Sequence, residues 1–157
     1  MHLIDLIPFR TPLVVGQKLE PITWLKWLTQ LVTVVNRTPQ VLGSVALTAQ
    51  AASVGTTDIP LVGELHAGLA RLTYALRITR AAGTSSSAQV TFNWTDGGVG
   101  QTMVFTAVTG NTTTTTQGEM LPFHTDAGAV PSYSVAYGSV GAPTMQFSFS
   151  LAIEAMP

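Results

Sequence analysis

Cysteine is absent from the 157 residues, which removes disulfide frameworks and thiolate metal sites from consideration. Charge is scarce too, since Lys, Arg, Asp and Glu supply 10% of the chain against about a quarter in an ordinary soluble domain. A net charge of -1 gives no electrostatic reason to bind nucleic acid, whose backbone attracts clustered Lys and Arg. The basic residues nearest to a group, Lys26, Arg37, Arg71, Arg77 and Arg80, are scattered over two regions. No run of about 18 consecutive apolar residues exists, which argues against membrane insertion through a helix. The opening Met1-His-Leu-Ile-Asp-Leu-Ile-Pro8 has an acid where a secretion signal carries basic residues. The expectation is a chain that stays in the compartment where it is made until it is assembled into something.

Hydrophobic residues, at 46%, are what the sequence has instead. The length suits one domain with a proper core plus a short appendage. So little charge on so apolar a chain leaves a monomer with little colloidal repulsion, and points to a protomer that covers surface with copies of itself.

The clearest pattern is at the end, where Met145, Phe147, Phe149, Leu151 and Ile153 alternate with Gln146, Ser148, Ser150, Ala152 and Glu154. A period of two describes a strand with one buried face and one small, neutral, wet face. Leu72, Tyr74, Leu76 and Ile78 repeat the pattern, as do Val90, Phe92 and Trp94, and then Tyr133, Val135 and Tyr137. Asp96-Gly97-Gly98 followed by a return run from Gln101 to Val108 predicts a hairpin. Thr112 to Thr116 adds β-branched bias toward extended structure. With Val41 to Leu47 and Leu61 to Leu69 as weaker candidates, about eight strands are expected, as in an antiparallel β-sandwich of the jelly-roll kind. The chain thus divides into an extended arm over 1–20, a helix and linker over 21–40, and a β-sandwich over 41–157.

The helix is expected over 21–36, with Pro21 in its first turn and Pro39 just past its end. Thr23, Lys26, Gln30, Thr33 and Arg37 form one polar stripe. The apolar remainder spans roughly half the circumference, wider than one seam needs. Either this helix packs on its own sheet, or copies bundle around Trp24, Leu28, Leu31 and Val35 while Trp27 docks a larger assembly. The second arrangement makes Trp24, Trp27, Leu28, Leu31 and Val35 the candidate oligomer and anchoring surface.

Chemistry is hard to find. His2, His66 and His124 have no second His or Cys at ligand spacing. Glu64/His66 and His124/Asp126 would each share a strand face, and a symmetry axis would be needed to gather copies of His124 into a metal or anion site. No Gly-x-Ser-x-Gly elbow is present. A glycosidase pair would have to come from Asp58, Glu64, Asp96, Glu119, Asp126 and Glu154, with Asp96 committed to its turn and Asp58 to the Thr56-Thr-Asp-Ile-Pro60 loop. Gly97-Gly98-Val99-Gly100 lies between strands with no helix after it, so it reads as hairpin chemistry rather than a phosphate cradle. No enzyme, metal or cofactor is expected. An exposed aromatic would favour a carbohydrate-binding module, but Trp94, Tyr133 and Tyr137 fall on the inward register.

Pro21-Ile-Thr-Trp-Leu-Lys-Trp-Leu28 after a proline-rich start resembles the N-terminal part of small tailed-bacteriophage virion proteins. Arg71-Leu-Thr-Tyr-Ala-Leu-Arg-Ile-Thr79, Thr84 to Gly98, Thr109 to Thr116 and Tyr133 to Phe147 are similar to the β-domain of the same group. The resemblance implies a homotrimeric fibre, spike or collar-like component of a virion assembled in the host cytoplasm. Its arm and helix would be fastened to other virion proteins of the neck, tail or baseplate, with the sandwich projecting. A host surface glycan is the alternative partner, for a receptor-binding module on the tail. The group supplies no active site to carry over to particular residues.

Overall fold

The computed structural model describes residues 14–15, 18–19, 26–31 and 39–156. Two compact units are present, one up to Pro39 and one over Gln40–Met156. In the first, β1 (Val14–Val15) pairs antiparallel with β2 (Lys18–Leu19), and 26–31 form a helix, α1. The remainder of the expected arm and of the 21–36 helix lies outside the described residues.

The second unit holds nine strands: β3 (Gln40–Gln50), β4 (Val54–Asp58), β5 (Gly68–Arg80), β6 (Ser85–Asp96), β7 (Val99–Val104), β8 (Val108–Thr109), β9 (Thr116–Thr125), β10 (Ser132–Val140) and β11 (Gln146–Ala155). One sheet runs β3-β11-β5-β9, and the other runs β4-β10-β6-β7 with the short β8 also on β6. All pairings are antiparallel. Leaving β8 aside, the first strand pairs with the last, the second with the seventh, the third with the sixth, and the fourth with the fifth. This is one long antiparallel ribbon, and β11 on β5 and β10 on β6 show how it is wound into two layers. The result is the expected antiparallel sandwich with jelly-roll strand order.

Alternation explains the core. Leu72, Tyr74, Leu76 and Ile78 of β5 face Phe147, Phe149, Leu151 and Ile153 of β11 along one sheet, and Val90, Phe92, Tyr133 and Val135 come from the other. Aromatic contacts knit the layers. Tyr74 lies 4.6 Å from Phe105, Tyr133 stacks on Phe149 at 5.3 Å, and Phe92 meets Phe123 edge-on at 5.1 Å.

Several expectations are corrected. Leu61 to Leu69 is not a strand: its first part is a loop that closes one end of the sandwich, with Leu65 plugged into the core, and only Gly68 onward joins β5. Thr112 to Thr115 turn rather than extend, because the chain must cross here from one sheet to the other. The run Gln101 to Val108 is interrupted where Phe105 dips into the core. The strands β4 and β9 were not expected.

The two ends of the sandwich differ. At one lie 59–67, Gly97-Gly98 and 126–131, together with the start of β3 and the finish of β11, since Gln40 pairs with Ala155 and Met156 N–H donates to Leu69. At the other, 81–84, 110–115 and 141–145 are tied together by Ala82 N–H to Gly110 and Gly83 N–H to Pro143. Gly83 is required there, because a Cβ would run into the Ala142 carbonyl.

Candidate functional site

Three surfaces of the sandwich gather what chemistry the sequence has. The first is the end where the chain enters and leaves. The β6–β7 hairpin turns on Gly97 and Gly98, whose φ values of 60° and 75° are those of a type I′ turn. Asp126, from the loop after β9, accepts the Gly97 and Gly98 N–H groups on its two oxygens at 2.9 and 2.8 Å. His124 Nδ1 lies 3.1 Å from Asp96 Oδ1, with both side chains largely exposed. The role expected for Asp96 at its turn therefore belongs to Asp126, while Asp96 partners His124. Asp126, the other half of the expected His124/Asp126 pair, has both carboxylate oxygens engaged by the glycine amides. Glu64 and His66 sit in a loop, so the strand spacing that would have aligned them does not apply.

At the same end is a cleft of about 470 Å³ whose lining includes Ile59, Leu61, Leu65 and Val130 together with Asp58 and Glu64. Of the six carboxylates considered for catalysis, Asp96, Asp126, Glu119 and Glu154 hydrogen-bond to neighbouring protein groups. Asp58 and Glu64 are the two that share a concavity. Among the described residues, no group of three or more His, Asp or Glu is placed to hold a metal ion.

The second surface is the outer face of the β3-β11-β5-β9 sheet. Its centre is a shallow depression of about 360 Å³ bordered by Ser44, Ala46, Thr73, Ala75, Ser150 and Ala152. Toward the end where the chain enters, Arg71 Nε donates to Glu154 Oε2 at 2.7 Å, and an Arg71 Nη makes a second, shorter bond to the same oxygen. Arg71 and Glu154 are directly opposed across β5 and β11. That pair was missed, because it depends on register between strands 83 residues apart. The third surface is the edge of β7, which has no further strand beside it among the described residues and where Val99, Met103 and Val104 are exposed.

The anchoring residues stand differently. Trp27, Leu28 and Leu31 lie on α1, and Leu28 is exposed. Trp24 and Val35 lie outside the described residues. The aromatics weighed as sugar platforms point inward: Tyr133 is buried, and Trp94 and Tyr137 pack against the core. Tyr137 also donates its hydroxyl to the Met145 carbonyl at 2.8 Å. No protein-family profile matches the chain, and no curated protein matches it either.

Proposed function

We propose that this chain is a structural subunit of a bacteriophage particle, a fibre, spike or neck- or tail-associated component. In this reading it assembles as a homotrimer and attaches through its N-terminal arm and helix. The observation that carries the reading is the jelly-roll sandwich whose β3-β11-β5-β9 sheet has Ser, Ala and Thr at the centre of its outer face, with Arg71 and Glu154 paired to each other toward one end and Arg77 toward the other. Small uncharged side chains let a neighbouring protein approach the sheet closely without stranding a charge, as cores of subunit interfaces require. A second support is directional. The chain enters the sandwich at Gln40, which pairs with Ala155 at one end, and the loops of Thr, Ser, Ala and Gly tied together at the opposite end would suit a projecting tip.

Native mass spectrometry of the full chain at micromolar concentration tests the assembly. A mass that is a multiple of three protomers supports the trimer, and a monomer throughout the concentration range sinks it. Burial of roughly 1,000 Å² or more is the scale a specific interface needs.

A further inference from the structure

We propose that the free edge of β7 is a pairing site for a second copy of this chain, joined antiparallel to its own β7 about a two-fold axis at Thr102. The inference goes beyond the virion reading and holds for a subunit of any assembly.

An exposed strand edge presents unpaired N–H and C=O groups, and sheet proteins blunt such edges with charge, proline, bulges or a covering loop. Three of the four edges here are blunted. On β3, the Val62 N–H donates to the Leu42 carbonyl and the register to β11 shifts twice, with Ala49 forced to a φ of 52°. On β4, five residues end in Asp58 and the register to β10 shifts between Tyr133 and Val135. On β9, Glu119, Pro122 and His124 interrupt the edge. β7 is Val99-Gly-Gln-Thr-Met-Val104, with no charge, no proline and an unshifted register to β6. Its Val99, Met103 and Val104 are 59%, 37% and 54% exposed.

The hydrogen-bond phase of this edge can be read from its inner side. Phe105 N–H donates to the Val90 carbonyl at 3.0 Å. In an antiparallel ladder both backbone groups of alternate residues face the same neighbour. Residues 105, 103, 101 and 99 therefore address β6, and Gly100, Thr102 and Val104 direct theirs off the sheet. Among the described residues, no other backbone hydrogen bond involves these three.

A second β7 laid antiparallel about Thr102 opposes Thr102 to itself and Gly100 to Val104. All three residues are then in phase, so about six backbone hydrogen bonds form between the copies. The side chains are self-compatible as well. Gly100 leaves room for Val104, Gln101 meets Met103, and no charge on either strand faces a like charge. A strand carrying one lysine or glutamate near its centre would oppose that charge to itself. This sequence avoids that, so the fitting occupant is a copy of the chain.

The lack of native cysteine gives a direct test in the full chain. T102C places two thiols across the axis, within the Cα separation that a disulfide spans. T113C, in the exposed loop at the far end of the sandwich, serves as the control. Under mild oxidation T102C is expected to form covalent dimer at least tenfold faster than T113C. T102K brings two ammonium groups together and T102P removes the outward N–H. Either is expected to halve the mass of the native complex, whatever other interface the protomer uses, while T102S leaves that mass unchanged. Circular dichroism checks that the variants fold, since Thr102 Oγ1 also donates to Asn93 Oδ1 at 2.9 Å. Equal cross-linking of T102C and T113C, or folded T102K and T102P with the wild-type mass, overturns the pairing. A trimer that survives T102K at half the mass separates this contact from the three-fold one.

Discussion

At the scale of single residues, Tyr74 is the one whose chemistry is least settled by its neighbours. It is 2% exposed, its ring is held against Phe105 and Phe149, and its hydroxyl has no hydrogen-bond partner among the described residues. Burial, reinforced by the carboxylate of Glu119, pushes its pKa above the usual 10.0. Burial raises that of Tyr133 in the same sense. A raised tyrosine pKa means that the folded chain keeps protons the unfolded chain gives up. The contribution to stability is thus complete below about pH 10 and falls as pH rises above it. Urea denaturation should accordingly show a loss of stability beginning near pH 10, and Tyr74→Phe should flatten it. At neutral pH the same substitution removes a buried hydroxyl without a partner, so stability should stay level or rise, by up to about 1 kcal/mol. A clear loss at neutral pH in Tyr74→Phe would show that the hydroxyl is in fact satisfied.

At the scale of elements, the β6–β7 hairpin shows how local and distant sequence divide the work. The Gly-Gly pair sets the turn, and Asp126, 28 or more residues away, secures it by accepting both glycine amides. Asp126→Ala should cost about 1 kcal/mol, discounted from the larger value of a buried charge-assisted bond because this one is exposed to water. Amide exchange at Gly97 and Gly98 should speed up selectively, with Asp126→Asn intermediate. Unchanged exchange at these two amides would remove the bracing role. The turn was legible because Asp-Gly-Gly is a local signal, and the brace was not because nothing local announces it. The same division runs through the strands. β5, β6, β10 and β11 were legible because each has partners on both sides and one face on the core, which enforces strict alternation. β9 was not, since at a sheet edge inward positions tolerate Gln117 and Glu119 in place of apolar residues. Leu61 to Leu69 imitated a strand because a loop that caps a sandwich must also supply an apolar plug, here Leu65. Of the candidate anchoring surface, the helix around Trp27, Leu28 and Leu31 was legible from its spacing. What it touches is a property of assembly and is not written in periodicity.

At the scale of the whole molecule, the wound ribbon makes the first and last strands of the sandwich neighbours, as β3 and β11 pair along most of their length. Such non-local pairing folds slowly, in roughly milliseconds to seconds for a domain of this class. Among the described residues the buried core extends from Ile59 to Ile153 and those packed against it begin at Leu42, so the sandwich has a core of its own. Gln40–Met156 form one compact unit. A chain beginning at Gln40 should therefore keep the strand signature in circular dichroism and unfold in one transition, with a midpoint within a few degrees of the full chain. If the arm and helix are the attachment, the same truncated protein should fail to enter particles when it replaces the full chain. The two readouts separate the claims: an unfolded truncation would mean that the core borrows from the first 39 residues, whereas a folded one that still enters particles would move the attachment onto the sandwich itself. In that second case the small-residue face of the β3-β11-β5-β9 sheet becomes the surface to mutate, beginning with Ala75→Arg at its centre, which should block docking and leave the fold intact.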